Sequence, residues 1–314
     1  MSKAPVDTEP YDEFAFLADV AVEFGADPAT VLPCSRVDVA LESGQTISGI
    51  KWGTDAPAVL FLHGGGQNAH TWDTLQVLLR RPAIALDLPG HGHSDRRADR
   101  DYGPWSNATA AAEAVDKLGA TDLTLVGMSL GGATAIHLAA LRPDLFNHVV
   151  IIDVSPSTGA EGRTMTAEQR GSVALIGGPP TYESFDAMAD ATIAMSPLRS
   201  PEAVRRGVRH NAVRLDDGKW MWRYDLFPRE GDPPREWTDF SSLWDDVAKI
   251  KAPTMFVKGG LSVYTLPEDA EKYREVLPDV RVEEVEGAGH AVQSDQPAAL
   301  AALLNDFAPR IGAS

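Results

Sequence analysis

The chain has 314 residues, 44% of them hydrophobic, and a formal net charge of −17 from 45 acidic against 28 basic residues. That length and apolar share suffice for one large α/β domain, or two smaller ones, with a real core. The negative field repels a phosphate backbone and argues against nucleic acid as a partner, while favouring solubility.

Met1 to Pro10 is polar and lacks the apolar centre of a secretory signal. No apolar run approaches the ~18 residues of a membrane-spanning helix. The single cysteine, Cys34, rules out an intrachain disulfide. It fits a reducing compartment, so the cytoplasm is the expected location. Leu32-Pro33-Cys34-Ser35 carries no motif, and a structural or surface thiol is expected there.

Tyr11 to Phe24 places Phe14, Leu17, Ala21 and Phe24 at helical spacing. It reads as an amphipathic helix within an N-terminal extension, 1–35, packed on the body or on a second subunit. Arg36–Leu41 and Thr46–Trp52 read as strands joined by hairpin chemistry at Glu42-Ser43-Gly44-Gln45. Ala58–Leu62 is a short apolar strand of the kind buried on both faces, ending in His63-Gly64-Gly65-Gly66. A helix from about His70 to Leu79 follows, then a buried strand Ala83–Leu86. That strand runs into Asp87-Leu88-Pro89-Gly90-His91-Gly92-His93-Ser94. Trp105–Leu118 is helical, and Leu123–Val126 and His148–Ile152 are strands. Strands alternating with helices at this spacing predict an α/β, doubly wound, mostly parallel sheet with right-handed crossovers.

At Ser155 the rhythm breaks, and no buried-strand pattern is evident up to Thr238. Helical pieces are expected at Ala167–Leu175, Tyr182–Met195 and Glu202–Leu215, with a turn at Asp217-Gly218. The stretch 155–238 is therefore read as a helical cap inserted into a core formed by 36–154 and 239–314. Pro228–Pro234 is proline-rich and leads back to the sheet. Strands at Thr254–Val257 and Arg281–Val285 and helices at about Glu268–Val276 and Pro297–Phe307 complete the pattern.

Gly127-Met128-Ser129-Leu130-Gly131-Gly132 is a G-x-S-x-G between an apolar strand and an alanine-rich helix. This strand, sharp turn and helix is the setting that motif needs. The glycines let strand and helix approach, and Ser129 stands beside a positive helix N-terminus. A serine that only caps the helix is the plain alternative. His290 lies in Gly287-Ala288-Gly289-His290, after the last strand and so on the same sheet edge as Ser129. It is the natural base for a hydroxyl that is a poor nucleophile alone.

These two motifs, with Leu62-His63-Gly64-Gly65-Gly66 and Asp87 to Ser94, in this order, resemble the α/β-hydrolase fold superfamily in its capped, cofactor-free branch. The resemblance covers roughly Arg36 to Phe307. It implies a catalytic triad of Ser129, an acid and His290, with an oxyanion hole from the N–H groups of Leu130 and Gly65. The family often places the acid after the Thr254–Val257 strand. There the turn reads Gly259-Gly260-Leu261-Ser262-Val263-Tyr264, with Val263 at the carboxylate position. Other relatives take the acid from the preceding strand end, which points to Asp153, with Glu268 or Asp269 in reserve. The alternative for Asp153 is a capping role.

The resemblance implies a serine hydrolase acting on a small or medium carboxylic ester or lactone, with no metal, nucleotide or flavin. The same residues could cleave a carbon–carbon bond in a β-diketone or support perhydrolysis, and a non-enzymatic receptor is the alternative from another class. Metal binding at His91 and His93 is disfavoured for lack of partners at ligand spacing. Arg205, Arg206, Arg209 and Arg214 share one helix and read as a solvated face, although Arg205 and Arg209 could meet an anionic substrate. Trp220, Trp222 and Tyr224 alternate like a strand and are expected to pack the cap, with one reaching the pocket. Partners are then a small-molecule substrate and, as one arrangement the sequence leaves open, a second copy in a homo-oligomer.

Overall fold

The computed structural model describes residues 11–158, 165–227 and 239–308. The polar Met1–Pro10 stretch, the proline-rich 228–234 segment, part of the expected cap (159–164 and 228–238) and 309–314 lie outside the described residues. Elements run β1 (Cys34–Ala40), β2 (Thr46–Trp52), β3 (Val59–Leu62), β4 (Ala83–Leu86), β5 (Leu123–Met128) and β6 (Phe146–Ile152). Three short strands follow, β7 (Thr181–Tyr182), β8 (Ala212–Arg214) and β9 (Trp220–Trp222), then β10 (Thr254–Gly259) and β11 (Arg281–Val285). The helices are α1 (Leu17–Glu23), α2 (Asp73–Leu79), α3 (Pro104–Leu118), α4 (Leu130–Leu141), α5 (Ala167–Arg170) and α6 (Phe185–Ala194). They continue with α7 (Pro201–Asn211), α8 (Trp244–Val247), α9 (Pro267–Val276), α10 (Val292–Asp295) and α11 (Pro297–Phe307).

The main sheet has eight strands in the order β1-β2-β4-β3-β5-β6-β10-β11. β2 pairs antiparallel with both β1 and β4, and the other pairings are parallel. Alternation along the central strands divides the core between two faces, as a pleat of period two requires. Leu60, Leu62, Leu125, Val149 and Ile151 join the layer packed by α3 and α4. Val59, Phe61, Val126, Val150 and Ile152 join the layer under α2 and α11. Covered on both faces, these strands are apolar along most of their length, with Thr124 in β5 and Asn147 and His148 at the start of β6 as the exceptions. The parallel order then carries the loops after β3, β5, β6, β10 and β11 to one edge, and every candidate reactive residue sits on one of them.

The described residues between 155 and 238 depart from expectation in two respects. Alongside their helices they contain an antiparallel sheet, β7-β9-β8. The helix expected over Glu202–Leu215 ends at Asn211, because Ala212–Arg214 pairs with Trp220–Trp222 instead. Asp217-Gly218 makes the connecting turn, with Gly218 at φ 85°. Ala167–Leu175 is a single α-turn followed by a 3₁₀ segment, Gly171–Gly177, rather than one helix. Trp220, Trp222 and Tyr224 are buried with Met188, Val204 and Val208 in a third apolar cluster. At the N-terminus, turns over 13–16 precede α1. Leu17, Val20 and Ala21 form its buried stripe on the α2 layer.

Candidate active site

Ser129 is at the tip of the β5–α4 turn with φ 52° and ψ −118°, a conformation L-residues seldom hold. The close contacts beneath it explain why the turn persists. A Cβ on Gly127 would lie 2.3 Å from Gly131 O, and one on Gly131 would lie 2.1 Å from Leu62 O, so both positions need glycine. The Ser129 hydroxyl donates to His290 Nε2 at 3.0 Å. On the other side of the ring, His290 Nδ1 is 2.7 Å from Asp153 Oδ2. A carboxylate only accepts, so Nδ1 carries the proton and Nε2 is free to receive one from serine.

Asp153 leaves the end of β6 with φ 49° and is fully buried. Besides His290, its carboxylate accepts from Gly259 N (3.1 Å), Thr265 Oγ1 (2.7 Å) and the Ser262 hydroxyl. Four donors fill the acceptor positions of a carboxylate. The turn after β10 thus has Val263 half-exposed, and its backbone and hydroxyl donors converge on the acid of the neighbouring strand. The two reserve acids are engaged elsewhere. Asp269 is buried and accepts from Leu266 N and the Ser155 hydroxyl, both at 2.8 Å, at the N-terminus of α9. Glu268 is exposed on that helix.

The loop after β3 lies against the serine. A Cβ on Gly64 would be 3.3 Å from Ser129 Cβ, and one on Gly65 would be 3.9 Å from Leu130 Cδ2. The Gly64 N–H is spent on Gln67 Oε1 at 3.0 Å. Among the described residues the Gly65 and Leu130 N–H groups meet no backbone acceptor, and Leu130 is the first residue of α4, ahead of its hydrogen-bond ladder. Buried His63 holds this loop by donating from Nδ1 to Gly64 O (2.8 Å) and accepting Leu88 N–H at Nε2 (2.9 Å). Burial pushes its imidazole down, which keeps the accepting nitrogen bare.

Three further side chains support His290, and no motif in the sequence marks them. Tyr264 stacks on its ring at 3.6 Å between centroids, 16° apart. Asp295 accepts Gly289 N–H at 2.9 Å, fixing the residue before it. Arg199, from the loop before α7, faces Asp295 Oδ1 at 3.4 Å. For the Ser262 and Thr265 hydroxyls that serve Asp153, the one signal was the turn at Gly259, where valine at the carboxylate position leaves them without a local acid.

The remaining candidates have structural tasks. Asp87 is the hub of its loop, accepting Arg36 Nη1 (2.7 Å), Ala69 N (2.7 Å) and His93 N (2.9 Å). His91 is buried with Nδ1 3.0 Å from Pro89 O. The Cys34 thiol donates to Leu32 O, and burial pushes it up to about 12, far from a nucleophile. Arg205 pairs with Asp186, and Arg206 with Glu23 at 2.6 Å. Arg209 lies 4.1 Å over the Tyr11 ring.

A cavity of about 180 Å³ starts at Gly65 and Gly66 and runs between α2, α7 and the Gly171–Gly177 segment, with Phe16 and Val20 of the N-terminal segment in its wall. Trp222 and Tyr224 both line it. In its wall, His70, Asp73 and His210 bring ligand-type atoms within 4.8 Å of one another. His70 Nδ1 is 2.8 Å from Asp73 Oδ2, its Nε2 is 3.0 Å from Glu13 Oε2, and Tyr11 OH meets His210 Nδ1. The two imidazoles stack 3.9 Å apart and 14° from parallel, so their in-plane lone pairs run side by side and do not converge on an ion. Burial pulls His70 down, but Asp73 and Glu13 outweigh it and raise it to about 9. Burial and the positive His70 together drive His210 well down.

A sequence profile of the alpha/beta hydrolase family matches residues 59–303. Esterase Rv0045c of Mycobacterium tuberculosis is 47% identical over 294 residues, 93% of this chain and 94% of that protein. A solved structure of that esterase superposes with a TM-score of 0.81 at 45% identity, covering 95% of this chain and 99% of the other. The sn-1-specific diacylglycerol lipase ABHD11 of Mus musculus is 27% identical, covering 77% of each chain. Among the described residues no helix is long and apolar enough to cross a membrane.

Proposed function

The chain belongs to the alpha/beta hydrolase family, and we propose that it is a carboxylic ester hydrolase that works through an acyl-enzyme on Ser129. The observation that carries this reading is the relay Ser129 Oγ to His290 Nε2 at 3.0 Å and His290 Nδ1 to Asp153 at 2.7 Å. Ser129 Oγ attacks the carbonyl carbon as its proton passes to Nε2. The N–H groups of Gly65 and Leu130 receive the oxyanion. The imidazolium, steadied by Asp153, then gives its proton to the departing alcohol, and water repeats the sequence to free the acid. The esterase among the relatives supports the ester as the bond cleaved.

The substrate we assign is a small or medium ester or lactone held in the cavity beside Gly65, with residues 155–238 as its lid. The lone thiol supports the cytoplasm as the compartment. A fluorophosphonate will add once, at Ser129, and Ser129→Ala will lose both labelling and turnover, the latter by about 10⁶-fold. Labelling elsewhere with full activity in the alanine variant overturns the reading.

A further inference from the structure

The turn after β10 does two things at once. Ser262 and Thr265 give their hydroxyls to Asp153, while Tyr264 between them lays its ring on His290, the next member of the relay. The tyrosine is itself fixed. Its N–H donates to Ser262 Oγ (3.1 Å), its carbonyl accepts from Thr158 Oγ1 (3.1 Å), and its hydroxyl donates to Arg170 O (3.2 Å) in the inserted segment. The residue is buried, and that burial pushes its phenol well up, so the ring stays neutral. The imidazole beneath it is pinned at Nδ1 by Asp153 and at Nε2 by Ser129. Two contacts in the ring plane resist sliding better than tipping, and a flat surface against one face opposes the tipping.

Carbon atoms of facing rings settle ~3.5 Å or more apart. A separation of 3.6 Å between centroids, with the planes 16° from parallel, therefore leaves the two rings almost fully overlapped. Neutral aromatic rings favour an offset or edge-to-face arrangement over this sandwich, whereas a cation is drawn to the negative face of the π system. In the reaction His290 becomes a cation when it takes the Ser129 proton. The contact is then stronger in the transition state than before it, which is the condition for lowering a barrier. We propose that Tyr264 is a positioning residue of the reaction, whose ring holds the His290 imidazole in line with Ser129 and Asp153 and stabilises the imidazolium as it forms. The charged groups around that imidazole are Asp153 at the end of β6, Asp295 on α10 and, opposite Asp295, Arg199 of the loop before α7. Arg170 of α5 acts on the tyrosine. None of them is altered by a substitution at Tyr264.

This inference rests on the ester hydrolase reading, and the experiment separates the two. kcat, KM and the pH dependence of kcat/KM are measured with p-nitrophenyl acetate, the acid limb reporting the proton affinity of His290 in the free enzyme. Tyr264→Leu keeps that face of the imidazole covered and removes the π system. It is expected to lower kcat about fivefold with KM within about twofold, and to move the acid limb down by about 0.7 pH unit, the same factor read as a proton affinity. Tyr264→Phe keeps the ring, gives up only the hydroxyl bond to Arg170, and should restore both. Replacing Tyr264 by a ring-trifluorinated phenylalanine keeps the shape and drains the π face. It should move the acid limb as Tyr264→Leu does, and it serves in its place should the leucine variant not fold. An unmoved acid limb in the fluorinated enzyme shows that the ring only fills space, and overturns the proposal whatever Tyr264→Leu does. A Tyr264→Phe enzyme shifted as far as Tyr264→Leu overturns it too, because the hydroxyl would then be the active part. If the wild type leaves p-nitrophenyl acetate uncleaved and a fluorophosphonate leaves Ser129 unlabelled, the ester hydrolase reading fails and this inference with it.

Discussion

At the sheet edge each candidate reactive side chain leaves a parallel strand or the turn just after it, whereas the cavity wall gathers residues from the N-terminal segment, α2, the 3₁₀ segment and α7. The edge is over-determined. Ser129 is held in its strained turn by glycine contacts that admit no Cβ, and Asp153 by four donors. The wall is held by side-chain ion pairs and networks, such as Arg206 with Glu23 and the chain Asp87, Arg36, Glu13, His70. Chemistry that tolerates little displacement is thereby placed on backbone. Shape and polarity, which decide what is bound, are left to side chains.

The sharpest test of this contrast is Asp153→Asn. It preserves shape but misdirects the His290 tautomer, and a fall of about 10⁴-fold in kcat is expected with little change in KM. Asp269→Asn serves as its control. That substitution removes a helix-terminal acceptor, with an expected loss of about 1 kcal/mol of stability and kcat within a few-fold of wild type. Steady-state kinetics beside circular dichroism decide the matter, and a collapse of kcat in Asp269→Asn would move the acid to α9.

Gly131→Ala probes how rigidly the edge is built. A methyl 2.1 Å from Leu62 O forces strand and helix apart, and a loss of about 3 kcal/mol in urea unfolding is expected. A near-neutral result would mean that the turn relaxes readily and that the strain at Ser129 is not held from below.

The proton-linked effect belongs to the wall. His70 is raised to about 9 from its ordinary 6.5, against burial, by Asp73 and Glu13. Because the folded value is the higher one, its contribution to stability is complete below about pH 6.5 and is lost as pH rises through about 9. The expected loss is on the order of 3 kcal/mol, since a shift from 6.5 to about 9 is worth about 1.4 kcal/mol per pH unit. His70→Gln should flatten the stability profile across that window in thermal melts. An unchanged slope in the variant would show that the cluster carries no proton-linked stability.

The legible part of this site was the part whose cause is local. Ser129 follows from the strand, turn and helix around it, and His290 from its place after the last strand. Asp153 needed one more step: Val263 cannot be an acid, so the strand end before it became the candidate. The turn after β10 signals only that the Ser262 and Thr265 hydroxyls lack a local acid; that they meet Asp153, and that Tyr264 stacks on His290, is stated by nothing in their neighbours. The same holds for α7. Its residues favour continuing the helix to Leu215, yet Ala212–Arg214 pairs with β9, because tertiary pairing outweighs a few tenths of a kcal/mol per residue in propensity.

By itself the sequence determined the apolar strand runs, the glycines of the elbow and the two-faced core, because backbone preference and side-chain period act between near neighbours in the chain. Only the tertiary structure decided that β6 lies beside β10, so that the turn after β10 furnishes donors to Asp153. It alone also decided that Tyr11, Glu13 and Phe16 close on His210, His70 and the cavity wall. Contacts between residues so far apart in the chain depend on the order of strands and the docking of segments. No stretch of sequence encodes that order locally; it emerges from burying all the apolar faces at once.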